Sequence, residues 1–246
     1  MNNEEPIEEI IKEPVEELVE EPVKELVEEP VKEPIEEPVW IKMGYPTEAH
    51  MNWFFKDNDY DLLKCFDLDE NSVIVDIGMY TGVWLKDMYC KYRCNCIGVE
   101  PILEYFSKAQ NILTDSSKIF LFDYAITNFK KKMYSNINGD ASTLTENDNK
   151  TIKIKKMKVQ SFFKLIENVI DVLQINVEGS EYEILPIILK TDILDNVKNI
   201  QIQFHNINEE SKYRMNDIIN KIKNKGFEMK FNYEFVWCGF KNTKFL

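Results

Sequence analysis

Short runs of β-branched and apolar residues alternate with longer amphipathic stretches through most of this 246-residue chain. The clearest runs cover residues 72–78, 96–100, 119–122, 172–177 and 200–204. The stretches between most of these runs carry apolar residues at helical spacing. Strands that alternate with helices predict a parallel sheet that has helices on both of its faces.

The C-terminal part of the chain departs from this alternation. Residues 227–231 and 235–240 have the composition of two strands, and the three residues Asn232-Tyr-Glu separate them. Three residues are too few for a crossover helix, so the two strands are predicted to pair antiparallel. The expected fold is therefore α/β and Rossmann-like, with a doubly wound, mostly parallel sheet and a C-terminal antiparallel hairpin.

The N-terminal segment has a different composition from the rest of the chain. Its first 38 residues form a Glu-rich repeat with prolines at 6, 14, 22, 30, 34 and 38, and they contain fifteen Glu and three Lys. A proline inside a helix costs about 3 kcal/mol, and this spacing therefore opposes a long helix. We expect a disordered arm over residues 1–39 and a single globular domain over residues 40–246. The arm would be either a solubilising tail or a segment that binds a protein partner.

The remaining 208 residues carry 28 acidic and 27 basic groups, so their net charge gives no reason to expect a nucleic-acid partner. No apolar run approaches the roughly 18–20 residues of a membrane span, and the acidic N-terminus does not resemble a signal peptide. Five cysteines, an odd number, fit a reducing compartment better than a disulfide framework. These features predict a cytoplasmic protein without a membrane span.

The strongest local motif is Asp76-Ile-Gly78-Met-Tyr-Thr-Gly82, between a predicted strand and a predicted helix. In an open α/β sheet this turn lies at the carboxyl edge, where ligands bind, and glycines let the backbone approach them. Asp76 replaces the first glycine of the nicotinamide fingerprint, and its charge would repel a pyrophosphate but attract an ammonium group. Asp76, Gly78 and Gly82 are therefore predicted to bind S-adenosylmethionine, which carries an ammonium and a sulfonium but no phosphate.

A second acidic residue supports the same cofactor. Glu100 ends the second predicted strand, 24 residues after Asp76. A carboxylate at this position can accept hydrogen bonds from both ribose hydroxyls of a nucleoside. Glu100 is therefore the fourth predicted cofactor-binding residue.

Two later strand ends supply the candidate catalytic residues. Glu178 follows the strand at 172–177, and His205 follows the strand at 200–204, although a structural role for His205 is the alternative. The ordinary pKa of histidine suits a base at neutral pH, whereas Glu178 would need burial to raise its pKa. We predict His205 as the base and Glu178 as the residue that positions the acceptor. No metal is predicted, because Asn176 is a poor ligand for a hard cation.

In order along the chain, the segments VIVDIGMYTG, IGVEP, DVLQINVEGSEYEIL and IQIQFH resemble the FkbM family of class I S-adenosylmethionine-dependent methyltransferases. The family's K-I-D-V-E-G-x-E motif is matched by residues 174–181, with Gln174 in place of Lys and Asn176 in place of Asp. The resemblance implies O-methylation of a hydroxyl on a carbohydrate or glycoconjugate. The alternatives are a lipid, a small metabolite or a protein as acceptor, or a degenerate cofactor-binding domain that serves as an interaction module.

Overall fold

The computed structural model describes residues 48–53, 59–115, 117–128, 134–136, 143–145 and 152–246. The predicted arm, residues 1–39, lies outside this described part of the chain. None of the helices in the described ranges is both long enough and apolar enough to span a bilayer.

The first half of the described chain contains, in order, α1 (Glu48–Met51), a 3-10 helix (Asp59–Lys64), β1 (Val73–Ile77), α2 (Val83–Tyr92), β2 (Asn95–Val99), α3 (Leu103–Ile112), β3 (Ile119–Phe122), β4 (Ala125–Ile126), β5 (Tyr134–Asn136) and β6 (Thr143–Thr145). The second half contains β7 (Ile152–Lys153), β8 (Lys156–Met157), α4 (Val159–Phe163), β9 (Ile170–Ile175), α5 (Glu181–Leu189), a 3-10 helix (Ile193–Asn196), β10 (Val197–Ile202), α6 (Ser211–Asn224), β11 (Phe227–Tyr233), β12 (Trp237–Asn242) and a last 3-10 turn (Thr243–Phe245).

Seven of these strands form one sheet in the order β11-β12-β10-β9-β1-β2-β3. The pairs among β1, β2, β3, β9 and β10 are parallel, whereas β12 runs antiparallel to both β10 and β11. The predicted doubly wound sheet and its C-terminal hairpin are both confirmed. The short strands form two small separate sheets, β4-β8 and β6-β5-β7.

The two faces of the sheet divide the apolar residues of β1 between two core clusters. Val73, Val75 and Ile77 pack in the cluster that includes side chains of α4, α5 and α6. Ile74 packs in the other cluster, with side chains of α2 and α3. Because both faces are covered, β1 is buried along its whole length, which explains its nearly continuous apolar sequence.

The strand order reverses between β1 and β9. From β1 the chain adds β2 and β3 on one side, and it later returns to add β9 and β10 on the other side. Ligands of open α/β sheets bind at such a reversal, outside the carboxyl ends of the strands. This edge therefore collects the residues that follow β1, β2, β9 and β10.

The predicted end of β9 differs from the observed one. The sequence run extends to Val177, but the strand ends at Ile175, after which the Asn176 amide donates a hydrogen bond to the carbonyl oxygen of Ile77 (2.9 Å). The backbone then turns, because Glu178 and Gly179 both adopt positive φ angles of 49° and 98°. Apolar character continues past the strand because Val177 packs against the core.

Candidate active site

A cleft opens at this edge of the sheet, between the ends of β1, β2 and β9. Its lining combines polar residues of the strand ends with a wall of aromatic side chains. The lining includes Gly78, Glu100, Asn176, Glu178, Tyr80, Tyr105 and Tyr124.

Gly78 forms part of the cleft wall, and its conformation excludes a side chain. Its φ is +89°, and a Cβ atom at this position would lie 1.7 Å from the carbonyl oxygen of Asn176. The Gly78 amide donates a hydrogen bond to the carbonyl oxygen of Val99 (2.9 Å). Glycine is therefore required where the turn after β1 passes the turn after β9 at close range.

Gly82 is not part of the cleft lining, and close packing against α3 explains why this position is a glycine. At its φ of +77°, a Cβ atom would lie 2.8 Å from Cδ1 of Leu113 and 2.9 Å from Cβ of Ala109. Gly82 thus lets the start of α2 pack directly on α3. A contact between Gly82 and the cofactor stays a prediction.

Glu100 lies in the cleft wall and is 6% exposed. Its Oε1 accepts a hydrogen bond from the Ile102 amide (2.8 Å), and its Oε2 accepts one from the Tyr80 amide (3.1 Å). Burial raises the pKa of Glu100 to about 7, although these two hydrogen bonds lower it and the charge of Glu178 raises it further. The carboxyl group of Glu100 is therefore oriented, and it changes charge near neutral pH.

Asp76 is buried more deeply, 1% exposed, and is not part of the cleft lining. Its Oδ1 accepts a hydrogen bond from Nε2 of Gln174 (3.1 Å), and its Oδ2 has no hydrogen-bond partner within the described ranges. Burial raises the pKa of Asp76 to about 7; the bond from Gln174 lowers it and the charge of Glu100 raises it. Asp76 thus carries a buried acceptor atom next to the predicted cofactor site.

Glu178 projects from a strained position in the cleft wall. Its φ of 49° lies in the left-handed region, which non-glycine residues rarely adopt. Tyr80, in the turn after the neighbouring strand β1, has a similar φ of 52°. Strained residues concentrate at functional sites, where the surrounding structure holds them in place.

His205 lies behind Glu178 and in contact with two carboxylates. Its Nε2 is 3.3 Å from Oε2 of Glu178, in an ion-pair contact whose angle does not suit a hydrogen bond. Its Nδ1 is 3.2 Å from Oε1 of Glu181, whose side chain is 0% exposed. The same oxygen accepts a hydrogen bond from the His205 amide, and Oε2 of Glu181 accepts one from the Gly179 amide (both 2.8 Å). Glu181 therefore fixes both the turn after β9 and the turn after β10.

This arrangement determines the charge of the imidazole. Burial by itself lowers the pKa of His205, but the contacts with Glu178 and Glu181 outweigh burial and raise it to about 10. His205 is thus a cation at neutral pH. It forms a cluster with two carboxylates, of which only Glu178 reaches the cleft lining.

The structure brings together Gly78, Glu100 and Glu178 in the cleft, with Asp76 buried and His205 partly buried next to it. Sequence reasoning missed the contact between Glu181 and His205, and it missed the amide side chains of Gln174 and Gln201. For the two glutamines, the available signal was a polar residue between two apolar neighbours within a predicted strand. Within the described ranges, no group of three or more His, Cys, Asp or Glu side chains is arranged to hold a metal ion, and the five cysteines are free.

Comparison with known proteins identifies the family. Residues 76–229 match the family model of the methyltransferase FkbM domain, whereas no curated protein matches the chain. Among solved structures, an rRNA methylase from Streptococcus thermophilus is 14% identical, covers 71% of this chain and 89% of its own, and has a TM-score of 0.42. The fibrillarin pre-rRNA processing protein of Methanococcus jannaschii is 14% identical, with 72% and 69% of the two chains covered and a TM-score of 0.43. TrmK from M. capricolum, in complex with S-adenosylhomocysteine, is 11% identical, with 77% and 69% covered and a TM-score of 0.44. The family match spans more than half of the chain, which therefore belongs to the FkbM family of S-adenosylmethionine-dependent methyltransferases.

Proposed function

We propose that this protein transfers the methyl group of S-adenosylmethionine to a hydroxyl oxygen of a carbohydrate or glycoconjugate. The observation that carries the proposal is the cluster of Glu178, His205 and Glu181 at the reversal of strand order. It places one carboxylate in the cleft wall with the partly buried imidazole of His205 3.3 Å from it. A carboxylate at this position in the cleft wall can accept the proton of a neutral hydroxyl group.

The residues on the donor side fit the methyl donor. A carboxylate oxygen can accept about two hydrogen bonds, so each oxygen of Glu100 retains the capacity to accept a ribose hydroxyl. Oδ2 of Asp76 and Oδ1 of Asn176 are buried acceptor atoms without partners in the described structure, which suits a ligand that carries an ammonium group. When bound, the donor supplies a methyl group activated by a sulfonium. We assign its binding to Asp76, Gly78, Glu100 and Asn176, with Gly82 in a supporting role at the start of α2.

On the acceptor side, the proposal exchanges the two roles that the sequence suggested. An imidazole whose pKa is about 10 already holds its proton at neutral pH, and a cation cannot act as the base. Glu178, which lines the cleft, is the group that accepts the hydroxyl proton as the new oxygen–carbon bond forms. His205 stabilises the Glu178 carboxylate, and Glu181 holds His205. The proton leaves the acceptor for Glu178, and the donor becomes a neutral thioether.

An acceptor screen with isotopically labelled donor tests this function. The panel contains glycans, lipids, small metabolites and proteins, and we expect label on a glycan hydroxyl. Glu178→Gln should lower turnover by about 10²–10⁴-fold, the usual contribution of acid–base catalysis, with donor affinity nearly unchanged. Glu183→Gln is the matched control, because Glu183 is a half-exposed carboxylate in α5 that pairs with Arg214.

Each contrary outcome removes a different part of the proposal. Label on a lipid or protein, with none on glycans, would overturn the acceptor class. Unchanged turnover in Glu178→Gln would remove Glu178 from the reaction. Calorimetry that detects no binding of S-adenosylmethionine would support the degenerate domain instead.

A further inference from the structure

A row of buried polar side chains crosses the centre of the sheet beneath the active site. Asp76 on β1 is in register with Gln174 on β9, and Gln174 is in register with Gln201 on β10. Both glutamines are at most 5% exposed. Parallel strands with both faces covered usually present apolar side chains at such positions, so two adjacent amides are unexpected. We refer to Gln174 and Gln201 as the amide row.

The direction of the hydrogen bonds in the amide row is fixed from one end. Nε2 of Gln201 donates to the carbonyl oxygen of Leu63 (3.2 Å), which can only accept. The same nitrogen donates to Oε1 of Gln174, so the NH₂ group of Gln174 must face the other way. It donates to Oδ1 of Asp76 at 3.1 Å. The carbonyl group of Leu63 therefore sets the orientation of both amides, and as a result Asp76 accepts a hydrogen bond from Gln174.

Little else in the surroundings favours the charged form of Asp76. The titratable groups that act on it are Glu100, at the end of β2, and the buried thiol of Cys96 in the same strand. Glu100 opposes the charge of Asp76, and β9 contributes only the amide of Gln174. No Lys or Arg side chain in the described ranges forms an ion pair with Asp76. The hydrogen bond from Gln174 is the interaction that lowers the pKa of Asp76.

We propose that Gln174 and Gln201 are positioning residues for the methyl donor, because they favour the charged form of the Asp76 carboxylate and hold it in one orientation. The inference rests on the proposed role of Asp76 in donor binding. The donor carries two positive charges, and a buried carboxylate attracts them strongly because the local dielectric constant is low. Oδ1 is occupied by Gln174, whereas Oδ2 has no partner in the described ranges and is the atom available for the donor.

The experiment measures the affinity for S-adenosylmethionine by calorimetry as a function of pH. Wild-type affinity should decline as the pH falls through about 7, because protonation removes the charge of Asp76. In Gln174→Leu the pKa of Asp76 should rise by about one unit, so the affinity near pH 7 should fall about fivefold. Near pH 9 Asp76 is ionised in both proteins, and their affinities should agree within about twofold. Glu100 titrates in both proteins, so the variant is compared with wild type at each pH and not with itself across the pH range.

Two further variants make the result specific. Gln201→Leu should produce a smaller change of the same kind, because Gln174 keeps its contact but loses its fixed orientation. This variant also tests the proposal if Gln174→Leu fails to fold. Asn199→Leu is the matched control: it removes another amide of β10, whose Nδ2 donates to the carbonyl oxygen of Asp171 (2.8 Å), and should leave donor affinity unchanged.

The outcomes separate this inference from the proposed function. Equal losses near pH 7 and pH 9 in Gln174→Leu would indicate a purely structural role and overturn the inference. Unchanged affinity in both glutamine variants would overturn it as well. If wild-type protein does not bind S-adenosylmethionine at any pH, the proposed function itself fails.

Discussion

Two buried carboxyl groups at the donor side are unfavourable for folding. Asp76 and Glu100 are at most 6% exposed, and burial raises the pKa of each to about 7. In the unfolded chain both groups ionise near pH 4. Between about pH 4 and pH 7 the folded protein therefore retains protons that the unfolded chain releases, and its free energy of unfolding falls as the pH rises. Groups that destabilise a fold are expected where they bind a ligand.

Asp76→Asn tests this trade-off at one residue. Asn is isosteric, and its Oδ1 can still accept the hydrogen bond from Gln174. We compare the difference in free energy of unfolding, variant minus wild type, at two pH values. This difference should be more positive at pH 8 than at pH 4 by roughly 2–4 kcal/mol. Donor affinity should fall at the same time. Urea unfolding at both pH values measures the effect, and an equal difference at the two would refute it.

At the scale of elements, two glycines set the distances between neighbouring segments. Gly78 lets the turn after β1 pass the carbonyl oxygen of Asn176, and Gly82 lets α2 start against α3. Both were predicted from the sequence as cofactor contacts. The same two glycines serve the packing of the elements that hold the cofactor site.

A pair of glycine variants separates packing from backbone strain. Gly82 and Gly226 both have positive φ, 77° and 92°, but a Cβ atom at Gly226 would meet only Oγ1 of Thr243, at 3.7 Å. Gly226→Ala should therefore destabilise by about 1 kcal/mol, from left-handed strain alone. Gly82→Ala adds overpacking and should destabilise by roughly 2–4 kcal/mol. Chemical unfolding of both variants measures this, and equal losses would show that α2 and α3 adjust freely.

The strands could be predicted more fully than the chemistry of the site. Strands with both faces buried have apolar sequences bounded by glycine or acidic residues, and β1 and β9 lie close to their predicted runs. The carboxyl edge followed from topology, and Glu100 and Glu178 were each predicted to lie at the end of a strand at that edge. The charge of His205 was not predictable, because it depends on Glu181, which lies 24 residues away along the chain and contacts the imidazole only in the folded protein.

At the scale of the whole molecule, the acidity of the chain and its enzymatic part are separate. The first 38 residues account for nearly all of the net charge of −13, and every residue assigned to the site lies between 76 and 205. We therefore expect deletion of residues 1–39 to leave the melting temperature and donor affinity nearly unchanged, because a Pro- and Glu-rich repeat buries little apolar area. Calorimetry of the truncated protein measures both. A large fall in melting temperature would instead show that the arm packs on the domain.

The reversal of strand order also has a consequence for synthesis on the ribosome. β1 gains one neighbour, β2, almost at once, but its other neighbour, β9, is completed only at Ile175, almost a hundred residues later. Until then the nascent chain presents an open apolar strand edge, the kind of surface that chaperones shield and that aggregates when they do not. The same pairing that covers this edge brings Glu178 beside Glu100. Covering this edge and bringing the two carboxylates together are therefore one step, and His205 joins them only when β10 pairs with β9.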